Sequence, residues 1–309
     1  MTSSRVRINC ILSLATGLVS CRASAPSPAA PPPPVLASSR RPATVEELVR
    51  VRCRLDGEQV ITTWSGVVHG VVPDQPIRPL FDVVGMNVAR CLEVDGAWHL
   101  TSRELMYYLE PGTDHPLARW TNPWTEAQVP VVHVANRLVQ SRLGAGVPLE
   151  VAGGRAILVL DVPLHYPNPL ARDERTRPYS PAAMYQAIEM FMLAAPAGSL
   201  AAVGEPTVTE LTLSWHREGP WLPWMNMGDR PGHLLYRAHG RRVDREEELA
   251  PFLREELAVR LPLYREAPRC VVKGQPNETS WTYFARVLDA YVAGETFPLP
   301  APLDPTECP

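Results

Sequence analysis

Lysine is all but missing from this chain: among 309 residues and 30 basic side chains, Lys273 is the only lysine. Chemistry through a lysine Schiff base therefore has a single candidate, in a loop next to Gly274. Basic residues are also outnumbered by acidic ones, for a formal net charge of -3. With no basic stripe anywhere, the chain lacks the surplus of Lys and Arg that a general nucleic-acid binder sets against phosphate. Several signatures are absent too: Gly-x-x-x-x-Gly-Lys, Gly-x-Gly-x-x-Gly after a strand, His-Glu-x-x-His and Gly-x-Ser-x-Gly. Nucleotide-dependent enzymes, common metalloproteases and α/β-hydrolases are accordingly poor expectations. Cysteine never occurs as Cys-x-x-Cys, and no histidine stands at zinc-finger spacing, which argues against a structural zinc site.

Proline and glycine are plentiful, with 34 and 19 residues. They cut the chain into short segments better suited to strands than to long helices. Alternating and β-branched runs predict strands over 60–72, 80–94, 98–109, 117–120, 129–136, 155–164, 184–194, 207–217 and 233–238. The segment from Met184 fits a helix nearly as well, and the strand is preferred. Asp56-Gly57, Asp95-Gly96 and Pro111-Gly112 supply turns at the spacing of an antiparallel meander. Such a meander must hide its edges, and closure is the usual solution. The expected fold is therefore mainly β: an antiparallel β-barrel, lipocalin-like or calycin-like, with a few short helices packed at its ends. Capping boxes at Thr44/Glu47 and Asp244/Glu247 predict two of these helices, with Pro251 opening or kinking the second. Trp281, Phe284, Leu288 and Tyr291 predict another, running from Ser280 to a stop at Gly294.

At the N-terminus, Arg5 and Arg7 precede a short apolar stretch over 11–19, too short for the roughly 20 residues that span a bilayer. Residues 1–21 read as a secretory signal ending in Leu18-Val19-Ser20-Cys21, which resembles a lipobox with Cys21 as the lipidated residue. Residues 22–43 are rich in Pro, Ala and Ser and read as a spacer. A single barrel domain follows over 44–297, and 298–309 read as an irregular tail. The expected location is exported, periplasmic or membrane-anchored, with a possible tether through the N-terminus; a cytoplasmic protein with a disordered leader is the alternative. Cys53, Cys91 and Cys270 lie in the body. Export would allow a disulfide between two of them, but the preferred reading is that they are buried apolar residues.

Tryptophan gathers unusually with Asn, His and Pro. One group is Arg119-Trp120-Thr121-Asn122-Pro123-Trp124, followed by His133 and Asn136; the other is Trp215-His216-Arg217 with Pro220-Trp221-Leu222-Pro223-Trp224-Met225-Asn226-Met227. Rigid aromatic surface with a few polar atoms is the composition of a ligand cavity, and equally of a well-filled core. Trp120, Trp124, Trp221, Trp224, Trp281, Met225 and Met227 are thus candidates to shape a cavity, with Asn122 and Asn136 as orienting donors. His133, His216, Glu104 and Glu278 are the acid-base candidates, because burial beside indole moves such groups towards neutrality. Arg119, Arg217 and Arg230 are candidate carboxylate clamps. His216, His233, His239 and Asp229 match no common metal-ligand spacing.

The strings Leu80-Phe81 to Gly85-Met86-Asn87, Arg103-Glu104 with Tyr107-Tyr108, Trp120-Thr121-Asn122-Pro123-Trp124, Pro223-Trp224-Met225-x-Met227-Gly228 and Asn277-Glu278-Thr279-Ser280-Trp281 resemble a bacterial and fungal family known only as domain of unknown function number 1838. The resemblance runs from about Val51 to Ala290. It implies one intact domain and brings no activity or catalytic residue. The function expected from the residues is binding of a hydrophobic small molecule in the barrel, with cofactor-free acid-base chemistry of an isomerase, cyclase or hydratase/dehydratase. A tethered carrier of an apolar ligand and a metal-dependent hydrolase are the alternatives.

Overall fold

The computed structural model describes residues 39–301. The signal-like segment, Cys21, most of the spacer and the last residues of the tail lie outside the described residues. Strands β1 (Ser39–Pro42), β2 (Val60–Val71), β3 (Arg78–Val94) and β4 (Ala97–Leu109) come first. A small ribbon of β5 (Arg119–Thr121) and β6 (Gln128–Pro130) separates them from β7 (Val134–Arg142), β8 (Pro148–Ala152), β9 (Arg155–Pro167), β10 (Met184–Pro196), β11 (Thr212–Gly219) and β12 (His233–Val243). All but β5 and β6 join one antiparallel sheet of ten strands in the order β1-β8-β9-β10-β11-β12-β2-β3-β4-β7.

That order forces curvature. Laid flat at about 4.8 Å per strand, β7 and β8 would sit about 38 Å apart. The chain between Arg142 and Pro148 can stretch over only about 21 Å. The sheet therefore curls into a half-barrel that brings its two ends together. Asp95 and Gly96 both adopt left-handed backbone, with φ of 53° and 71°, and form the two-residue turn that fixes the β3–β4 register.

The glycines on the inner face make room for an indole. Trp64 lies opposite Gly85 on β3 and Gly240 on β12. A Cβ at Gly85 would fall 2.5 Å from the Trp64 ring, and one at Gly240 would fall 2.8 Å from the Trp64 Cβ.

Helix α1 (Val45–Arg52) begins with the predicted capping box between Thr44 and Glu47. Its Leu48 and Val51 pack with Leu149, Leu158, Leu193 and Leu200 and close one end of the half-barrel. β1, within the stretch read as spacer, pairs with β8. Helix α2 (Ala197–Ala201) completes this end, accepting the Arg50 guanidinium at the Leu200 and Ser199 carbonyls. The preferred reading of the cysteines is corrected here: Cys53 and Cys91 form a disulfide joining the end of α1 to β3, and Cys270 is disulfide-bonded too.

Helix α3 (Pro251–Val259) starts at Pro251, not at the predicted Asp244 box. The Asp244 N–H donates instead to Glu248, in the short 3₁₀ turn that precedes the helix. α3 lies outside β4, where the Tyr107 hydroxyl donates to Glu256 at 2.9 Å. The helix expected from Ser280 to Gly294 is broken at Val287 into α4 (Ser280–Arg286) and α5 (Leu288–Ala293). Gly294 ends α5 in the left-handed conformation its position needs. Among the described residues no helix is long and apolar enough to cross a membrane.

Candidate functional site

Period-two alternation sends one set of side chains to the concave face of the sheet. On β10 these are Tyr185, Ala187, Glu189, Phe191 and Leu193; on β4 they are Leu100, Ser102, Glu104, Met106 and Tyr108. Strands from both halves of the sheet wall a cavity there. It has a chamber of about 250 Å³ next to α1 and a larger one of about 670 Å³ leading towards α4. Glu104, Glu189, Trp215, Val139 and Ser141 belong to both walls, so the chambers adjoin. The size suits a small organic molecule.

The bonds around Glu104 depend on an irregularity. The β4–β7 ladder shifts between Ser102 and Glu104, after Ser102 pairs with Val139 and before Glu104 pairs with Asn136. This bulge turns both Asn136 and Val139 towards the cavity, the re-aiming for which bulges are used beside functional sites. Asn136 Nδ2 then donates to Glu104 Oε2 at 3.0 Å, while among the described residues the Asn136 Oδ1 has no hydrogen-bond partner. Burial and the nearby Glu189 carboxylate push the Glu104 carboxyl up to about 7, against the opposing pull of Asn136 and Arg217.

Glu189 is held by Arg217, whose Nε lies 3.3 Å from Glu189 Oε1. The buried Arg217 also donates to the Tyr185 hydroxyl and stacks over the Tyr236 ring at 5.2 Å. Because the Tyr185 oxygen accepts from Arg217, its own proton is free to point elsewhere. Burial raises the Tyr185 pKa, so that proton is retained at neutral pH. Trp281 closes this end edge-on to Tyr185, with ring centroids 4.7 Å apart, and its indole N–H donates to Ser180 Oγ.

Of the residues singled out in the sequence, Glu104, Asn136, Arg217, Glu278 and Trp281 line the larger chamber. Glu278 serves as a clamp: it accepts from the Arg137 backbone N–H at 2.7 Å and from the Arg286 guanidinium. His133 is buried against Tyr107 and Tyr108, with Nδ1 accepting from the Tyr108 N–H at 3.1 Å. Burial pulls its pKa down to about 3, so it stays neutral. His216 shares the outer face of β11 with Ser214, 3.1 Å from its hydroxyl.

Trp120 packs edge-on against Phe81 and Trp224, which meet each other at a tilt in the core, and Trp124 leans on Trp221 at 5.1 Å. Met225 and Met227 are buried in the same cluster. Asn122 ties this cluster together, donating to the Met225 carbonyl and the Met227 sulfur and accepting from Trp124 and Thr125. None of these residues is among those lining the two chambers. Lys273 pairs with Asp95 on the surface. Among the described residues no group of three or more His, Cys, Asp or Glu side chains is placed to hold a metal.

The sequence reading did not single out Glu189, Arg52, Trp64 or Tyr185. Glu189 had a signal, since it is a charge at an inward position of an otherwise apolar alternation.

A family model described as protein of unknown function, DUF1838, matches residues 57–288. The chain belongs to this family. The DUF1838 match begins just after the Cys53 end of α1, takes in the sheet from β2 to β12, and ends in α5. Among curated proteins, none matches the chain.

Proposed function

We propose that the half-barrel binds an apolar small molecule bearing a carbonyl or similar oxygen, and that Glu104 moves a proton to or from that molecule without a cofactor. The observation that carries this reading is the Glu104 carboxyl itself, which faces a mainly apolar chamber with a pKa of about 7. A carboxyl so poised is divided between acid and base at neutral pH, where proton transfer is most effective. Glu104 takes a proton from a carbon next to the oxygen-bearing one, and the Tyr185 hydroxyl, backed by Arg217, donates to the oxygen where charge accumulates. Delivery of a proton from Glu104 to another carbon, after the carboxyl has exchanged with water, completes an isomerisation; loss of a neighbouring hydroxide, which takes that proton and leaves as water, completes a dehydration.

The test starts from gently purified full-length chain, with native mass spectrometry and extraction to identify any co-purified molecule. That molecule is then incubated with the protein in deuterium oxide. Solvent deuterium should enter it with the wild-type chain and not with Glu104→Gln. Equal incorporation by both, or none by the wild type while the molecule stays bound, overturns the reading.

A carrier is the second reading, favoured by the apolar wall of the larger chamber. It predicts retention of an unchanged molecule with no exchange. Both readings fit an exported protein, and the Cys53–Cys91 disulfide supports that location because such bonds persist in oxidising compartments.

A further inference from the structure

The smaller chamber contains a layer of side-chain donors that make no hydrogen bond among the described residues. Arg52, the last residue of α1, lines this chamber. Its guanidinium lies 5.8 Å from the centroid of the Phe191 ring, and among the described residues it makes no hydrogen bond or ion pair. The other arginine that lines the two chambers, Arg217, is engaged with Glu189 and Tyr185. Arg242, close enough to Arg52 to repel it, donates to the Val51 carbonyl and to Thr207.

Phe191 pairs across the ladder with Trp215, and Trp215 packs edge-on against Trp64 at 6.4 Å. Both indoles line the chamber with Arg52. Among the described residues neither indole N–H, although buried, has an acceptor. Three donor side chains thus share one layer, and for the two buried indoles a donor left unpaired costs roughly 1–3 kcal/mol. The charges tell the same story. Arg52 feels the Glu189 carboxylate, but Glu189 makes its ion pair with Arg217, so among the described residues Arg52 is left with no ion pair of its own.

We infer that this layer binds the carboxylate of an amphipathic organic acid, with Arg52, Trp64 and Trp215 as donors and the apolar body of the acid in the larger chamber. This rests on the small-molecule cavity proposed above and names the class of molecule. A guanidinium is suited to the task by its planar fork, which matches a carboxylate. Glu189 and Phe191 are two residues apart on β10, or about 6.6 Å of strand. The bound carboxylate therefore lies near the Glu104–Glu189 level, and the carbons that meet Glu104 are those closest to the acid group.

Isothermal titration of the full-length protein with decanoate, decanol and decylamine tests the inference. Decanoate should bind about tenfold or more tightly than decanol, as a charge-assisted contact provides, and decylamine more weakly than either. Arg52→Met should abolish the preference and leave decanol binding within about threefold. Equal affinity for decanoate and decanol in the wild type overturns the inference without any variant, and leaves the cavity and the exchange result with Glu104 standing. A preference that survives in Arg52→Met overturns the role of Arg52. Failure of all three probes to bind overturns the inference and the small-molecule cavity together.

Discussion

Asn136 and Glu104 face each other across the bulge in the β4–β7 ladder, with Nδ2 of one 3.0 Å from Oε2 of the other. The amide steadies a carboxyl that burial would otherwise raise further. A carboxyl raised in the folded state holds its proton more tightly there than in the unfolded chain.

Stability should consequently fall with pH over a defined window. Between the ordinary 4.5 and the raised value of about 7, the folded chain binds more protons at Glu104 than the unfolded one. The contribution is complete below pH 4.5 and lost as pH rises through 7, by at most about 3 kcal/mol. Denaturant unfolding of wild type and Glu104→Gln from pH 5 to 8 should show the variant gaining on the wild type as pH rises. Parallel curves would show that Glu104 titrates normally.

The disulfide between Cys53 and Cys91 closes a sequence separation of 38 residues. The chain-entropy account values such a loop at about 4 kcal/mol. Replacing both cysteines by alanine should lower the stability read from denaturant unfolding by up to that amount. Because Arg52 adjoins Cys53, it should also weaken decanoate binding more than decanol binding. Unchanged unfolding would mean that α1 is held by its apolar contacts alone.

Trp224 belongs to the aromatic core and to neither chamber wall. Trp224→Ala should cost about 3–5 kcal/mol of stability and leave decanol affinity nearly unchanged. Impaired binding at full stability would place this residue in the ligand site.

Gly85→Ala puts a methyl 2.5 Å from the Trp64 ring. The ring must move into the chamber, at a cost of about 1–3 kcal/mol. Affinity for decanoate and decanol should drop together, as titration would show; wild-type affinity would mean that Trp64 does not bound the ligand space.

The strands were legible because their alternation is local: β2, β3, β4, β9 and β10 begin within two residues of where the pattern puts them. β1 and β8 were not, since Ser39–Pro42 is hidden in proline-rich sequence and Pro148–Ala152 is too short to show a period. The site was only partly legible. Tryptophan density marks where a chain invests large side chains, and around Trp120 and Trp224 that investment went into the core. Glu104, Glu189, Arg217 and Arg52 come from four separate elements, and only the curl of the sheet brings them to one cavity.

The curled sheet stops short of closing on itself. β7 and β9 both wall the larger chamber, yet among the described residues no ladder bonds join them. Part of the β7 edge is covered by the Asn277–Glu278 loop, through Gln140 and Leu138, and β9 carries Pro163 in its stretch beyond β8. The wall therefore has a seam that can part without breaking a β-ladder. Opening that seam would break the hydrogen bonds of the Asn277–Glu278 loop to β7 and no rung of the sheet.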